Sequence, residues 1–126
     1  MITKFEHMDS INHFLTEFML FLHKKERNIW IYTDCFHIYI RKSKRHYDGK
    51  LIDCIDIASI EVDEEYKGQK ILTTLLETLF QKYPKFNYLV ESILEPRLIG
   101  FLQKYGFVKY PEHDEDINNM IKINNI

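Results

Sequence analysis

The segment between Asp63 and Leu76, DEEYKGQKILTTLL, places one glycine and two lysines directly before an apolar stretch. A helix that begins after Gly68 would have unpaired backbone N–H groups and a partly positive N-terminus. Glycine lets an anion approach the main chain closely, and Lys67 and Lys70 would add electrostatic attraction. The segment therefore predicts either a phosphate-binding turn or, as the simpler alternative, a turn without a ligand.

The segment matches neither of two common phosphate-binding motifs. A P-loop requires G-x-x-x-x-G-K-[ST], and a dinucleotide fingerprint requires three glycines. Gly68 is the only glycine in this segment. Support for a phosphate site must therefore come from the rest of the chain.

The composition predicts a single domain over residues 1–126. Hydrophobic residues make up 45% of the chain and aromatic residues 14%, which is enough for one core. A formal net charge of −2 gives no general attraction for nucleic acid or an anionic membrane. The basic run Arg41–His46 is either a solvated hairpin tip or a contact for an anionic partner. No apolar run approaches the ~20 residues of a membrane span.

The two cysteines predict neither a metal site nor a redox pair. Cys35 and Cys54 lie in strand-like apolar runs without CxxC or metal-ligand spacing. We expect buried free thiols, and no signal-peptide pattern precedes the fold, so a cytoplasmic protein without a metal is predicted.

Apolar spacing predicts a first helix within residues 8–25, capped by Asp9 or Ser10. Three alternating segments, NIWIYTD, CFHIYIRKS and KLIDCIDIASIEVD, predict an antiparallel meander whose last turn is Asp48-Gly49. A second helix after Gly68, a strand NYLVESI, a third helix PRLIGFLQKYG and a hairpin of FVKY and NMIKIN complete the order. A short first strand at residues 2–5 is left open.

The strand, helix and strand between Cys54 and Ile93 predict a βαβ crossover, so two strands should be parallel. The predicted fold class is α+β, with a mixed, mostly antiparallel sheet and helices on both faces.

Two segments resemble the GNAT N-acetyltransferases. SIEVDEEYKGQKILTTLLETL is similar to the acetyl-CoA signature of that family, an apolar strand followed by Gln/Arg-x-x-Gly-x-Gly/Ala and an apolar helix. VESILEPRLIGFLQKYGFVKY is similar to its second segment, where a helix ends in a Gly-Phe pair, here Gly106-Phe107. Both segments occur in the family's order, so the resemblance implies a GNAT-like fold.

The resemblance implies an acetyl-CoA-dependent N-acetyltransferase in which a primary amine of a small molecule or peptide attacks the thioester directly. It implies that the main chain at Ile60 and Val62 binds the pantetheine arm of acetyl-CoA. The residues implied to hold the pyrophosphate are Lys67, Gly68, Gln69, Lys70 and Ile71.

The chain also departs from the family pattern. Glu65 stands where Gln or Arg is usual and Lys70 where Gly or Ala is usual, and both changes bear on cofactor affinity rather than on fold. Glu95 and Leu102 stand where the family often has Asn and a proton-donating Tyr. Tyr105 is therefore the candidate acid or, alternatively, a packed aromatic at the helix end.

Carboxylates on the strand before the turn are the candidate bases. Asp53, Asp56 and Glu61 interrupt an apolar run, where burial favours the neutral carboxyl and suits a base working near neutrality. Strict alternation predicts that Asp56 shares a face with Ile60 and Val62, and that Glu61 lies on the opposite face. A structural acid or an exposed sheet edge is the alternative for both.

Three functional hypotheses follow. The first is acetyl transfer to a primary amine, and the second is a GNAT-fold binding or regulatory protein without catalysis, which Lys70, Glu95 and Leu102 favour. The third is an unrelated α+β interaction domain, whose partner surfaces would be the apolar helices and the basic run Arg41–His46. Glu91 and Ser92 lie near the predicted site, where they could bind the acceptor or order a water or, alternatively, have no functional role. The pattern does not define the acceptor, and it is compatible with a homodimer through the last strands.

Overall fold

The computed structural model describes residues 4–68, 70–93, 96–111 and 118–124. The helices and strands are α1 (Lys4–Leu22), β1 (Asn28–Tyr32), β2 (Phe36–Tyr47), β3 (Lys50–Val62), α2 (Ile71–Lys82), β4 (Tyr88–Val90), α3 (Pro96–Lys104), β5 (Val108–Lys109) and β6 (Met120–Lys122). A short 3-10 turn, Glu64–Tyr66, lies between β3 and α2. The strands form one sheet in the order β1-β2-β3-β4-β6-β5.

The described strand pairings are antiparallel, except that β3 and β4 are parallel. Helix α2 connects these two strands, which confirms the predicted βαβ crossover. The meander is also confirmed, and Asp48 and Gly49 take positive φ angles of +50° and +75° in its second turn. The fold class is α+β, with a mixed, mostly antiparallel sheet.

The three described helices pack against one face of the sheet, which we call the helix face. Phe14 of α1, Leu75 of α2 and Leu102 of α3 join one buried cluster with the strand residues Ile38 and Ile57. The connections β3–α2–β4 and β4–α3–β5 step in the same direction across the sheet, so right-handed crossovers put both helices on one side. For the described part of the chain, the expectation of helices on both faces is corrected to helices on one face.

The other face of the sheet, which we call the open face, carries Asp56 and a smaller buried cluster. That cluster contains Ile52, Cys54, Leu89 and Ile121. Trp30 and Tyr32 are exposed on the same face, and their rings stack with centroids 6.0 Å apart.

The start of α1 differs from the prediction. The helix begins at Lys4, so Asp9 and Ser10 lie inside it and do not cap it. The short first strand considered for residues 2–5 is wrong from Lys4 onwards, and residues 1–3 lie outside the described ranges. The buried face of α1 includes Ile11, Phe14, Leu15 and Phe18, while Met19 is exposed.

A β-bulge interrupts β3 at Ala58. Ile57 pairs with Ile40 of β2, and Ser59 pairs with Tyr39, so Ala58 is an extra residue without a partner on β2. An extra residue in one strand reverses the alternation of side chains beyond it.

The bulge corrects the predicted faces of β3. Ile60 and Val62 pack against the same cluster as Ile57, so they lie on the helix face. Asp56 lies on the open face, opposite Arg41. Asp56 therefore does not share a face with Ile60 and Val62.

Candidate functional site

The parallel strands separate immediately after Val90. The main-chain N–H of Glu91 donates a hydrogen bond of 3.0 Å to the carbonyl oxygen of Ile57. Strand β4 ends at Val90, whereas β3 continues to Val62. Beyond Ile57, no described strand pairs with this edge of β3.

The main chain of Ile60 and Val62 points toward that unpaired edge. The N–H of Asp63 donates a hydrogen bond of 2.9 Å to the carbonyl oxygen of Cys35, so Asp63 is turned toward the β2 side. Hydrogen-bonded and non-hydrogen-bonded positions alternate along an antiparallel pair, so Ile60 and Val62 direct their N–H and C=O groups away from β2. A ligand with amide groups can bind such an edge as an added strand does.

The turn after β3 leads directly into the start of α2. Gly68 lies at φ +80°, a conformation that favours glycine, and an added Cβ would have no described neighbour within 4 Å. Lys70 precedes α2 at φ +61°, and its side chain makes no capping hydrogen bond. The helix start therefore faces the turn without a cap from Lys70. Gln69 lies outside the described residues.

These elements line an open groove of about 400 Å³. Its lining includes the predicted residues Ile60, Val62, Lys67, Gly68, Lys70 and Ile71. It also includes residues that the sequence did not single out: Tyr66, Leu72, Thr73, Arg97 and Leu98. The sequence predicted that Arg97 and Leu98 lie in the first turn of a helix after Pro96. It did not predict that this helix packs beside α2, which is what brings the two residues to the groove.

The groove suits an elongated ligand that is apolar at one end and anionic at the other. Apolar side chains follow β3, and the cationic residues Lys67, Lys70 and Arg97 also line the groove. The Nζ atom of Lys67 lies 3.0 Å from Oε2 of Glu64, so the positive charge of Lys67 is already paired with an acidic side chain. The residues present fit the pantetheine arm and the pyrophosphate of coenzyme A.

Asp56 is enclosed on the open face and is 0% exposed. Its Oδ1 accepts a hydrogen bond of 2.6 Å from Oγ of Ser43, and its Oδ2 accepts one of 2.5 Å from Nη2 of Arg45. The hydrogen bond to Asp56 raises the pKa of Arg45. Both carboxylate oxygens are engaged, so the geometry is that of a structural acid.

Glu61 lies on the open face near the end of β3. Its side chain is 69% exposed, and Oε2 lies 3.2 Å from Nε2 of His37. Glu61 is therefore accessible to a solute, but the groove lies on the other face.

Tyr105 follows the last residue of α3 and does not line the groove. Its ring packs against Phe80 and Phe101, with centroids 5.7 and 5.0 Å away. Burial raises the pKa of Tyr105, and the neighbouring Glu77 adds to the rise. Leu102, at the family's tyrosine position, is fully buried in the core. The structure thus does not bring Tyr105 to the groove.

Glu91 joins Asp56 in one ion network where the strands separate. Its Oε1 lies 2.5 Å from Nη2 of Arg41 and 3.1 Å from Nη2 of Arg45. The Glu91 side chain is 18% exposed. The sequence could not assign this role to Glu91, because Arg41 and Arg45 lie on β2 and come close to Glu91 only once the sheet has formed.

Within the described residues, no group of three or more histidine, cysteine or acidic side chains is arranged to hold a metal ion. Cys35 and Cys54 are buried free thiols, as expected. Burial raises the pKa of Cys54 to about 12. No helix in the described ranges has both the length and the apolar character needed to cross a membrane.

No protein-family model and no curated protein matches this sequence. Solved structures do match. AtaT complexed with acetyl-methionyl-tRNAfMet gives a TM-score of 0.54 at 16% identity, covering 91% of this chain and 82% of that chain. The KacTA–DNA complex gives 0.52 at 16% identity, covering 90% of this chain and 79% of that chain.

The chain has a GNAT-like fold. At this identity the likeness concerns the fold alone. An AtaT toxin variant bound to acetyl-CoA and to the C-terminus of the antitoxin AtaR gives a TM-score of 0.49 at 17% identity over 70% of this chain. The chain spans 57% of the length of that AtaT chain.

Proposed function

We propose that this protein is an acetyl-CoA-dependent N-acetyltransferase whose acceptor is a primary amine. The observation that carries the proposal is the unpaired edge of β3 beyond Ile57, which opens onto a groove that ends at Gly68 and the start of α2. Coenzyme A has an amide-rich arm that suits such an edge and a pyrophosphate that suits such a helix start. The GNAT-like fold supports the same activity.

In this proposal, the main-chain groups of Ile60 and Val62 hydrogen-bond the pantetheine arm. The pyrophosphate is held by the turn and the helix start, namely Lys67, Gly68, Gln69, Lys70 and Ile71. The acetyl group then lies where β3 and β4 separate, near Glu91.

The reaction is a direct attack. The amine nitrogen forms a bond to the thioester carbonyl carbon, and the bond between that carbon and sulfur breaks. Coenzyme A leaves as the thiolate and takes up a proton, while the amine gives one up to a base or to solvent. A main-chain N–H of β3 beside the point where the strands separate would stabilise the negative charge that develops on the carbonyl oxygen.

Glu61 is proposed as the base ahead of Asp56. Its carboxylate is accessible, whereas Asp56 is enclosed by Ser43 and Arg45. Tyr105 lies away from the groove, so we propose that solvent rather than Tyr105 protonates the leaving thiolate.

A binding or regulatory protein without catalysis is the second candidate. Its support is Leu102, which occupies the position of the family's proton-donating tyrosine and is buried in the core. Such a protein would bind acetyl-CoA without turnover, or would not bind it.

The acceptor is proposed to be an amine of a small molecule or peptide. Aminoacyl-tRNA belongs in the same test, because AtaT is complexed with acetyl-methionyl-tRNAfMet in a structure of similar fold. DNA belongs among the binding partners to test, because KacTA is complexed with it. A cytoplasmic location and a homodimer remain predictions.

Calorimetric titration with acetyl-CoA, followed by measurement of coenzyme A release with diamines, lysine peptides and aminoacyl-tRNA, tests the proposal. Saturable binding with amine-dependent release is expected. Binding without release from any acceptor would favour the second candidate, and the absence of both would reject the enzyme.

A further inference from the structure

The two faces of the sheet differ where β3 and β4 separate. The groove proposed for acetyl-CoA is on the helix face, lined by residues of α2 and α3. The side chains of Arg41 and Glu91 meet on the open face, where no described helix covers them. An acceptor that approaches from the open face would therefore reach the gap between the strands without displacing a ligand in the groove.

Glu91 is fixed at the edge of this gap by its main chain and by one carboxylate oxygen. Its N–H donates to the carbonyl oxygen of Ile57 at 3.0 Å. Its Oε1 accepts a hydrogen bond of 2.5 Å from Arg41 and one of 3.1 Å from Arg45. Within the described residues, the hydrogen bonds to this carboxylate go to Oε1, and Oε2 accepts none.

The rest of the network balances the charge of the two arginines. Arg45 is held by Asp56, whose Oδ2 also lies 3.7 Å from Nε of Arg41. Two guanidinium groups thus face two carboxylates, and their formal charges cancel. The network therefore carries no net positive charge that would repel a cation.

Asp56 and Glu91 differ in what they can bind. Asp56 is 0% exposed with both oxygens engaged, whereas Glu91 is 18% exposed with one oxygen engaged. Glu91 is therefore the carboxylate of this network that a solute can reach. Arg41 and Arg45 hold its Oε1 in place, as expected of a preorganised binding group.

Resting on the function proposed above, we propose that Oε2 of Glu91 binds the ammonium group of the acceptor and positions its nitrogen at the gap between β3 and β4. The ammonium gives up one proton to solvent before its nitrogen attacks, and the reaction then continues as described for the neutral amine. The substrate class is then cationic primary amines, such as alkyl diamines and lysine side chains, in preference to neutral aromatic amines. A hydrogen bond between charged partners contributes about 1.5–3 kcal/mol, or about ten-fold or more in affinity.

Steady-state kinetics of Glu91→Gln and Glu91→Asp test this inference, with Glu26→Gln as the matched control on an exposed loop. We expect Glu91→Gln to raise the KM for a cationic amine by about ten-fold or more, to leave the KM for acetyl-CoA within about two-fold, and to lose the preference over a neutral amine. Glu91→Asp should retain part of that preference, and Glu26→Gln all of it.

The outcomes separate this inference from the proposed function. If the unmodified protein turns over and Glu91→Gln leaves the amine KM and the preference unchanged, the inference is overturned while the enzyme stands. If Glu91→Gln does not fold, the same measurements on Glu91→Asp decide. If the unmodified protein shows no turnover with any amine, the inference is overturned together with the enzyme.

Discussion

The main-chain N–H of Glu91 donates a hydrogen bond of 3.0 Å to the carbonyl oxygen of Ile57, at the point where β3 and β4 separate. On the helix face, the edge of β3 that this separation exposes opens onto the groove. On the open face, the side chain of Glu91 enters a network with Arg41 and Arg45. One hydrogen bond thus marks the place where the proposed cofactor and acceptor sites meet.

Ile60→Pro should weaken acetyl-CoA binding by about ten-fold or more, because proline removes a main-chain N–H from the unpaired edge. The sheet should persist, since that N–H does not serve the pairing with β2. Titration of Ile60→Pro against Ile60→Val, which keeps the N–H, measures the effect. Equal affinities of the two variants would show that the edge does not bind the ligand.

Gly68→Ala should lower the free energy of unfolding by about 1 kcal/mol, because alanine disfavours φ +80°. Gly49→Ala is the matched control, since Gly49 lies at φ +75° in the hairpin turn, away from the groove. Both variants should lose similar stability in urea, but only Gly68→Ala should weaken acetyl-CoA binding, by about ten-fold. Parallel losses of affinity in both variants would contradict a role for the turn at Gly68.

Asp56→Asn should cost about 3 kcal/mol of unfolding free energy, because it leaves the Arg45 guanidinium without its enclosed counter-charge. Glu61→Gln should cost about 0.5 kcal/mol or less, because that ion pair is largely exposed. Urea unfolding of both variants measures the difference. A small loss for Asp56→Asn would show that the acid is not structural.

The stability of the protein should fall at alkaline pH through Cys54. Burial raises the pKa of its thiol from 9.0 to about 12, so above pH 9 the unfolded chain loses the proton while the native state keeps it. The contribution of Cys54 to stability is complete below pH 9 and is lost as the pH rises toward 12. Urea unfolding between pH 8 and 10.5 should show a smaller fall for Cys54→Ala than for the unmodified protein.

Ile52→Val is the packing control for that experiment, since Ile52 lies in the same buried cluster as Cys54. It should lower stability by a similar amount at every pH. An identical pH dependence of Cys54→Ala and Ile52→Val would rule out the thiol as the cause.

Tyr105→Phe should change the turnover number by less than about three-fold, because the ring packs against Phe80 and Phe101 away from the groove. Loss of a general acid typically lowers the rate of the catalysed step by about 10²–10⁴-fold. Single-turnover measurement of coenzyme A release distinguishes the two. A hundred-fold loss would restore Tyr105 as the acid.

Local sequence patterns predicted most of the elements and most of the groove. Gly68 and the helix start at Ile71 follow from turn chemistry and apolar periodicity, which act over a few residues. Arg97 and Tyr66 were missed because their presence in the groove depends on how α3 and the 3-10 turn pack, which no local spacing encodes.

The error over Asp56 has a different cause. Alternation is a reliable rule for a regular strand, but the extra residue at Ala58 is invisible in an apolar run of small and branched side chains. The network of Asp56 with Arg45 and Glu91 was missed for a related reason, since its members come from three strands. Alternation alone could not indicate that both carboxylate oxygens of Asp56 accept hydrogen bonds from side chains of β2 on the open face.

Because Ala58 is an extra residue in β3, every position beyond it is shifted by one relative to a regular strand of the same sequence. The side chains beyond Ala58 therefore lie on the face opposite to the one that regular alternation predicts. Their main-chain groups likewise point to the opposite edge of the strand. If β3 ran through Ala58 as a regular strand without the bulge, Ile60 and Val62 would lie on the open face and their main-chain groups would pair with β2. The bulge at Ala58 therefore sets both the face of Ile60 and Val62 and the direction of their main-chain groups.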